Sequence, residues 1–284
     1  MSNEFSTRRQ TFNALALGVL LALIGVSLTY AFTPLLKQRE EGATDPLVLG
    51  EAPFHVSVRE AYHEADDGAR WVFPEKLPVE AFSFYHQQPG QPTPSLEQQH
   101  AVTSEAMTSL GGMRVGENCS PECVSVSRYR VTLTGNRKQP VHIDSMRAVV
   151  RGERPAPDGT LFNIPPEGGG PVDVVYLDLD SADKNAVTVD ERGNPTRRHF
   201  TDVENRFAAE GEPLVFEVIG ATNRPVLYEW ELVLEVTQDG RQETMVVDLG
   251  SGEALRTIGW LAVPKYGARY STDRGLNPKI IELK

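Results

Sequence analysis

The sequence predicts a mainly all-β chain, an antiparallel β-sandwich of immunoglobulin-like type, preceded by one N-terminal transmembrane helix. Three observations carry this. Residues 10–36 contain no charged side chain. Residues 226–237 place six apolar side chains at period 2 with three glutamates on the opposite parity, the signature of a half-buried strand. Further short runs rich in β-branched and aromatic residues recur between Gly and Pro breaks, with no long helical pattern alternating with them.

The anchor comes first. Residues 12–32 read FNALALGVLLALIGVSLTYAF, and as a helix they would extend ~31 Å, the thickness of a bilayer's hydrocarbon. Pro34 ends such a helix, and Tyr30 and Phe32 fall where an interfacial aromatic belt lies. A cleaved signal peptide is the competing reading, with Thr29, Tyr30 and Ala31 as its cleavage site. The apolar run exceeds the 7–15 residues of such a peptide. Arg8 and Arg9 flank one end, Lys37 and Arg39 the other, so the flanking charges nearly tie. The short basic tail favours residues 1–11 inside and the bulk of the chain extracytoplasmic, at the cell membrane. Ala14, Gly18 and Ala22 recur every four residues, a stripe that lets two helices pack closely and self-associate.

The strongest strand prediction places Val226, Tyr228, Trp230, Leu232, Leu234 and Val236 on one face and Glu229, Glu231 and Glu235 on the other. Asp239-Gly240 follows, the favoured type I′ pair, and residues 244–249 return. Tyr129, Val131 and Leu133 alternate likewise. Residues 135–138 make a turn, and residues 141–150 come back with a bulge near Asp144-Ser145 that reconciles two parities. Residues 54–58, 71–73, 81–84, 172–179 and 213–219 are further strands, and residues 96–110 a short helix. Residues 33–53 read as a stalk, residues 87–95 as a Pro- and Gln-rich loop and residues 265–284 as a loosely held tail. The folded domain is therefore expected over residues 54–264.

Charge narrows function. The 284-residue chain has net charge −11; Arg8 and Arg9 against Glu4 make residues 1–13 net +1, leaving −12 for the rest. An acidic domain without a basic, aromatic-bearing stripe repels phosphate backbones, which argues against nucleic acid as a partner. Cys119 and Cys123 are the only cysteines. Outside the cytoplasm they pair as a disulfide, with Pro121 turning the chain. A zinc site would need about four ligands, and no second pair exists.

No catalytic motif stands out. Gly168, Gly169 and Gly170 follow Pro165 and Pro166, so they form a loop and not a phosphate-binding helix start. Ser181 and Lys184 match S-x-x-K without helical context. Asp178, Asp180 and Asp183 invite a calcium reading, but the glycine and terminal glutamate of a calcium loop are missing, and strand alternation explains the first two. His63, Glu64, Asp66 and Asp67 read as a solvated acidic loop, and Arg197, Arg198 and His199 as a solvated turn. No cofactor or metal is expected.

The segments 133–137 (LTGNR), 159–162 (GTLF), 177–181 (LDLDS), 212–216 (EPLVF) and 228–232 (YEWEL) together resemble a group of uncharacterised actinobacterial single-pass membrane proteins. The resemblance covers roughly residues 115–260 and the anchor. It implies a Gram-positive cell-surface location and carries over no functional residue. The expected role is a membrane-anchored, extracytoplasmic binding module without catalytic chemistry. The alternatives are a structural subunit of a membrane complex, packed through the anchor, or an enzyme with a dispersed site.

Overall fold

The computed structural model describes residues 52–61, 69–85, 96–119, 122–164, 174–203, 206–250, 252–272 and 280–283. The chain divides into two compact units, residues 1–51 and 52–284. The first unit, with the expected anchor and its Ala14, Gly18 and Ala22 stripe, lies outside the described residues. So do the acidic loop around His63, the Pro- and Gln-rich break and the triple glycine. Among the described residues no helix is long and apolar enough to cross a membrane.

The second unit is mainly β. In chain order its strands are β1 (Phe54–Glu60), β2 (Ala69–Phe73), β3 (Met113–Cys119), β4 (Cys123–Gly135), β5 (Val141–Pro155), β6 (Thr160–Ile164), β7 (Val174–Asp178) and β8 (Val187–Val189). There follow β9 (Pro195–His199), β10 (Phe207–Ala208), β11 (Pro213–Thr222), β12 (Val226–Gln238), β13 (Arg241–Val247), β14 (Leu255–Ile258), β15 (Ala268–Thr272) and β16 (Ile280–Glu282). Helix α1 (Leu96–Ser109) lies where the sequence places it, and α2 (Phe200–Val203) is a single turn.

Among the described residues the strands form two sheets. The larger has eleven strands in the order β16-β15-β6-β2-β3-β4-β11-β7-β8-β9, with β1 also on β4. The smaller has five, β10-β5-β12-β13, with β14 also on β12. The two are built alike. Long β12 gives one edge to β5 and divides the other between β14 and β13. Long β4 gives one edge to β11 and divides the other between β3 and β1. Their inner faces meet in the main core, where Tyr129, Val131 and Leu133 of β4 join Tyr228, Trp230, Leu232 and Leu234 of β12.

Several elements match the expectation in detail. Asp239 and Gly240 both have positive φ, 51° and 75°, as a type I′ turn requires. The β5–β12 register skips Asp144, since Glu235 faces Ser145 and Val236 faces Ile143. That skip is the anticipated bulge. A second one leaves out Arg151.

Four expectations need correction. The larger sheet is mixed and not wholly antiparallel, because β7 runs parallel to β11 and β15 parallel to β6. With its many strands it is also broader than the seven to nine strands of an immunoglobulin domain, so only a two-layer, sandwich-like β arrangement remains. Next, β5 returns after the turn at residues 135–138 but joins the other sheet, pairing with β12 and β10 and not with β4. Third, residues 79–85 form a 3-10 helix in place of a strand. Pro78 starts it by accepting from the Ala81 amide at 3.1 Å, and Phe82 plugs a second core against Phe73, Phe162 and Tyr270. Fourth, the tail is not loose. Ala268 and Tyr270 of β15 are buried in that same core, and the Tyr270 hydroxyl donates to the Leu77 carbonyl at 3.0 Å.

Polar bonds tie the two sheets through the main core. Trp230, fully buried, donates from Nε1 to Thr257 Oγ1 at 2.9 Å, and the Thr257 and Ser127 hydroxyls are hydrogen-bonded to each other at 2.6 Å. The Tyr129 hydroxyl donates to the Arg256 carbonyl and accepts from the Arg256 amide, both at 2.9 Å. Gly220 lies under the Trp230 ring; a Cβ there would come within 2.7 Å of it. Replacing Trp230 by Ala is therefore expected to cost about 3–5 kcal/mol of unfolding free energy. Trp230→Phe keeps an aromatic ring, though a smaller one, but leaves Thr257 short of a donor, and should cost about 1–3 kcal/mol. Urea denaturation of the two variants measures both.

Candidate functional site: polar clusters and an open strand edge

Cys119 and Cys123 form a disulfide across the β3–β4 hairpin, where they are register partners. Both are exposed. The neighbouring Asn118 donates from Nδ2 to the Gly193 carbonyl at 3.2 Å, so the tip of the β8–β9 hairpin rests beside the disulfide. Val187 and Val189 of β8 pack there on Val126, Tyr176, Ile219 and Ala221. The β8–β9 hairpin thus covers part of the larger sheet's outer face.

The three aspartates of the calcium reading do different things. Asp178 Oδ1 accepts from the Asp180 amide, and Asp183 Oδ1 from the Asn185 amide, each at 3.0 Å. Asp180 is a hub. Its Oδ1 accepts from Thr222 Oγ1 at 2.8 Å and from the Tyr228 hydroxyl at 3.0 Å, and its Oδ2 from the Asn223 amide at 2.7 Å. Arg224 completes the group, donating to the Tyr228 hydroxyl at 2.6 Å and pairing with Glu153. Such a carboxylate, holding three donors from β11, β12 and the turn between them, serves packing more directly than metal binding. Among the described residues no three His, Cys, Asp or Glu side chains converge as metal ligands.

Asp183 lies 3.5 Å from His199, which is 3.6 Å from Asp202. The Asn185 amide and then His199 hold the Asp183 carboxyl below the usual carboxylate range. Lys184 donates from Nζ to the Ser181 backbone carbonyl, not to its hydroxyl, so the S-x-x-K pair forms no nucleophile. Arg197 and Arg198 are exposed as expected, but they lie on edge strand β9 and not in a turn.

Two arrangements escaped the sequence reading. Arg137, in the turn after β4, is buried and grips both Glu243 oxygens at 2.7 and 2.9 Å and Gln238 Oε1 at 2.9 Å. It fastens the crossing between sheets onto the β12–β13 hairpin. The glutamates on the outer face of β12 also have partners. Glu229 meets Arg154, Glu231 meets Arg151 and Glu235 meets Arg147, all from β5. Opposite charges at cross-strand spacing were the available signal, but using it required knowing that β5 and β12 are neighbours.

The other notable feature is β1. The Ala61 amide donates to the Arg128 carbonyl at 2.9 Å and the Asn136 amide to the Pro53 carbonyl at 3.1 Å. With this register, antiparallel pairing directs the backbone of His55, Ser57 and Arg59 towards β4. The backbone groups of Val56, Val58 and Glu60 then point away from it. Among the described residues β1 pairs with β4 alone, so this outward row forms an open strand edge. Val56 is 38% exposed on it.

No protein-family model, curated protein or solved structure matches the chain.

The Asp180 hub has a pH signature. Burial, and then Asp180, push the Tyr228 hydroxyl up to about 12, against about 10 in an unfolded chain. The folded state thus keeps a proton that the unfolded state sheds, so stability is complete below about pH 10 and falls as pH rises through that interval. Tyr228→Phe should make the alkaline decline shallower, measured as urea midpoints against pH.

Proposed function

We propose that this chain is a membrane-anchored, extracytoplasmic interaction module that works by binding and not by catalysis. The observation that carries this reading is the open edge of β1. An unpaired strand edge is a ready site for adding a partner's strand, with backbone bonds supplying affinity and side chains selectivity. The clusters elsewhere support it in a complementary way, because Asp180, Arg137 and the β12 glutamates each spend their charge on neighbours within the fold.

The address rests on two features. The Cys119–Cys123 disulfide fits an oxidising compartment. The uncharged residues 10–36 fit one membrane anchor ahead of the β-rich unit. The resemblance of residues 115–260 to actinobacterial membrane proteins agrees with a Gram-positive cell surface.

A membrane-impermeant maleimide polymer on intact cells tests the address. It should label Cys119 and Cys123 after treatment with an impermeant reductant and leave them unlabelled before it. Labelling that appears only after lysis would place the domain on the cytoplasmic side. Binding is tested with a photo-crosslinking residue at position 56, and at position 231 as the ion-paired control. A discrete adduct from position 56 alone is expected, and no adduct from it would contradict the reading.

A further inference from the structure

We infer that the open edge of β1, with the arginine pair beside it, binds an extended, carboxylate-rich peptide segment of a partner protein. This rests on the interaction-module reading and names the chemistry of the partner.

Arg59 of β1 and Arg130 of β4 are register partners. Their neighbours Val58, Tyr129 and Val131 pack inward on the main core, so both arginines stand on the outer face. Side chains directly opposite in this way lie about 5 Å apart at Cβ, and like charges there oppose each other. A further arginine of β4 on this face, Arg128, bonds to buried Glu217 at 2.7 Å. Glu217 is the register partner of Arg130 on the far side of β4, yet its carboxylate is turned to Arg128. Among the described residues neither Arg59 nor Arg130 has an ionic partner. Two cations at one spot with no ion-pair partner among the described residues, in a chain of net charge −11, mark a place for an anion.

The edge says what kind of anion. A strand added antiparallel to β1 would bond to the backbone of Val56, Val58 and Glu60. Its residue opposite Arg59 would then sit in a non-hydrogen-bonded pair, where side chains approach most closely. A carboxylate there meets Arg59 at once, with Arg130 one strand spacing of about 4.8 Å further on. The row beyond, Ser57 and Thr132, offers hydroxyl donors. On the opposite parity exposed Val56 calls for an apolar residue. The segment recognised therefore alternates acidic and apolar side chains. A phosphate or an anionic lipid surface would answer the charge but not the strand edge.

The test uses the full chain in a neutral detergent, with a fluorescent peptide of alternating Val and Asp read by anisotropy. An alternating Val and Lys peptide, inorganic phosphate and phosphatidylserine-containing vesicles are the comparisons. Two variants separate charge from edge. Arg59→Gln with Arg130→Gln removes the cations and relieves their opposition. Val56→Pro removes an outward N–H without touching the β1–β4 ladder, a position where an edge strand tolerates proline. The Val/Asp peptide should bind, lose about tenfold in affinity in each variant, and weaken with salt, while the Val/Lys peptide does not bind. Absence of Val/Asp binding, or equal binding by either variant, overturns the proposal. So does vesicle or phosphate binding that needs the arginines but ignores Val56→Pro. If position 56 still cross-links on cells while the peptide fails, the acidic specificity falls and the interaction module stands; if both fail, both readings fall.

Discussion

The arrangement of the β-rich unit depends on how β4 shares its edges. One edge is taken by β11 from Ser125 to Thr134. The other is divided, with β3 on Cys123–Val126 and β1 on Tyr129–Gly135. Two consequences follow. β3 is freed at its start to pair with β2 through Met113, Arg114 and Val115, which extends the sheet towards the aromatic core around Phe82. β1, by contrast, sits in a half-row with no onward neighbour among the described strands. The same division on β12, between β14 and β13, brings Arg256 and Thr257 over the centre of the core.

That second division allows the sheets to be tied by hydrogen bonds as well as by apolar contact. Tyr129 reaches from β4 to the backbone of Arg256, and Ser127 reaches Thr257, which also serves Trp230. Each of these buried polar groups has a partner, so their burial carries no unmet desolvation cost. Burial pushes the Tyr129 hydroxyl well above its ordinary range and keeps it neutral. Apolar packing by itself tolerates sliding of one layer on the other; directional bonds at Ser127 and Tyr129 set one position.

Much of this was legible wherever information is local. Period-2 alternation located β4 and β12, Asp239-Gly240 located the turn from β12 into β13, and the parity break at Asp144 located a bulge. Alternation does not say which sheet a strand joins. Hence the return of β5 was foreseen while its crossing to the smaller sheet was not, and the arginines opposite Glu229, Glu231 and Glu235 went unread. The Phe82 and Phe84 spacing imitates a strand, but Pro78 turns the chain and the larger aromatic core claims Phe82. The tail's Gly and Pro content resembles a loose end, yet Ala268 and Tyr270 bring it into the sheet by parallel pairing, which leaves no turn signal nearby. At the candidate site the disulfide was legible from spacing and compartment. The Arg59 and Arg130 pair was not, because it exists only through the β1–β4 register.

The open edge is the central claim, and residue-resolved native-state hydrogen exchange along β1 tests it most directly. The account predicts alternation. Amides of Ser57 and Arg59, directed at β4, should be protected, while those of Val56, Val58 and Glu60 exchange at close to the rate of an unpaired chain. Uniform protection along β1 would mean that its outer edge is already paired, and would contradict the account.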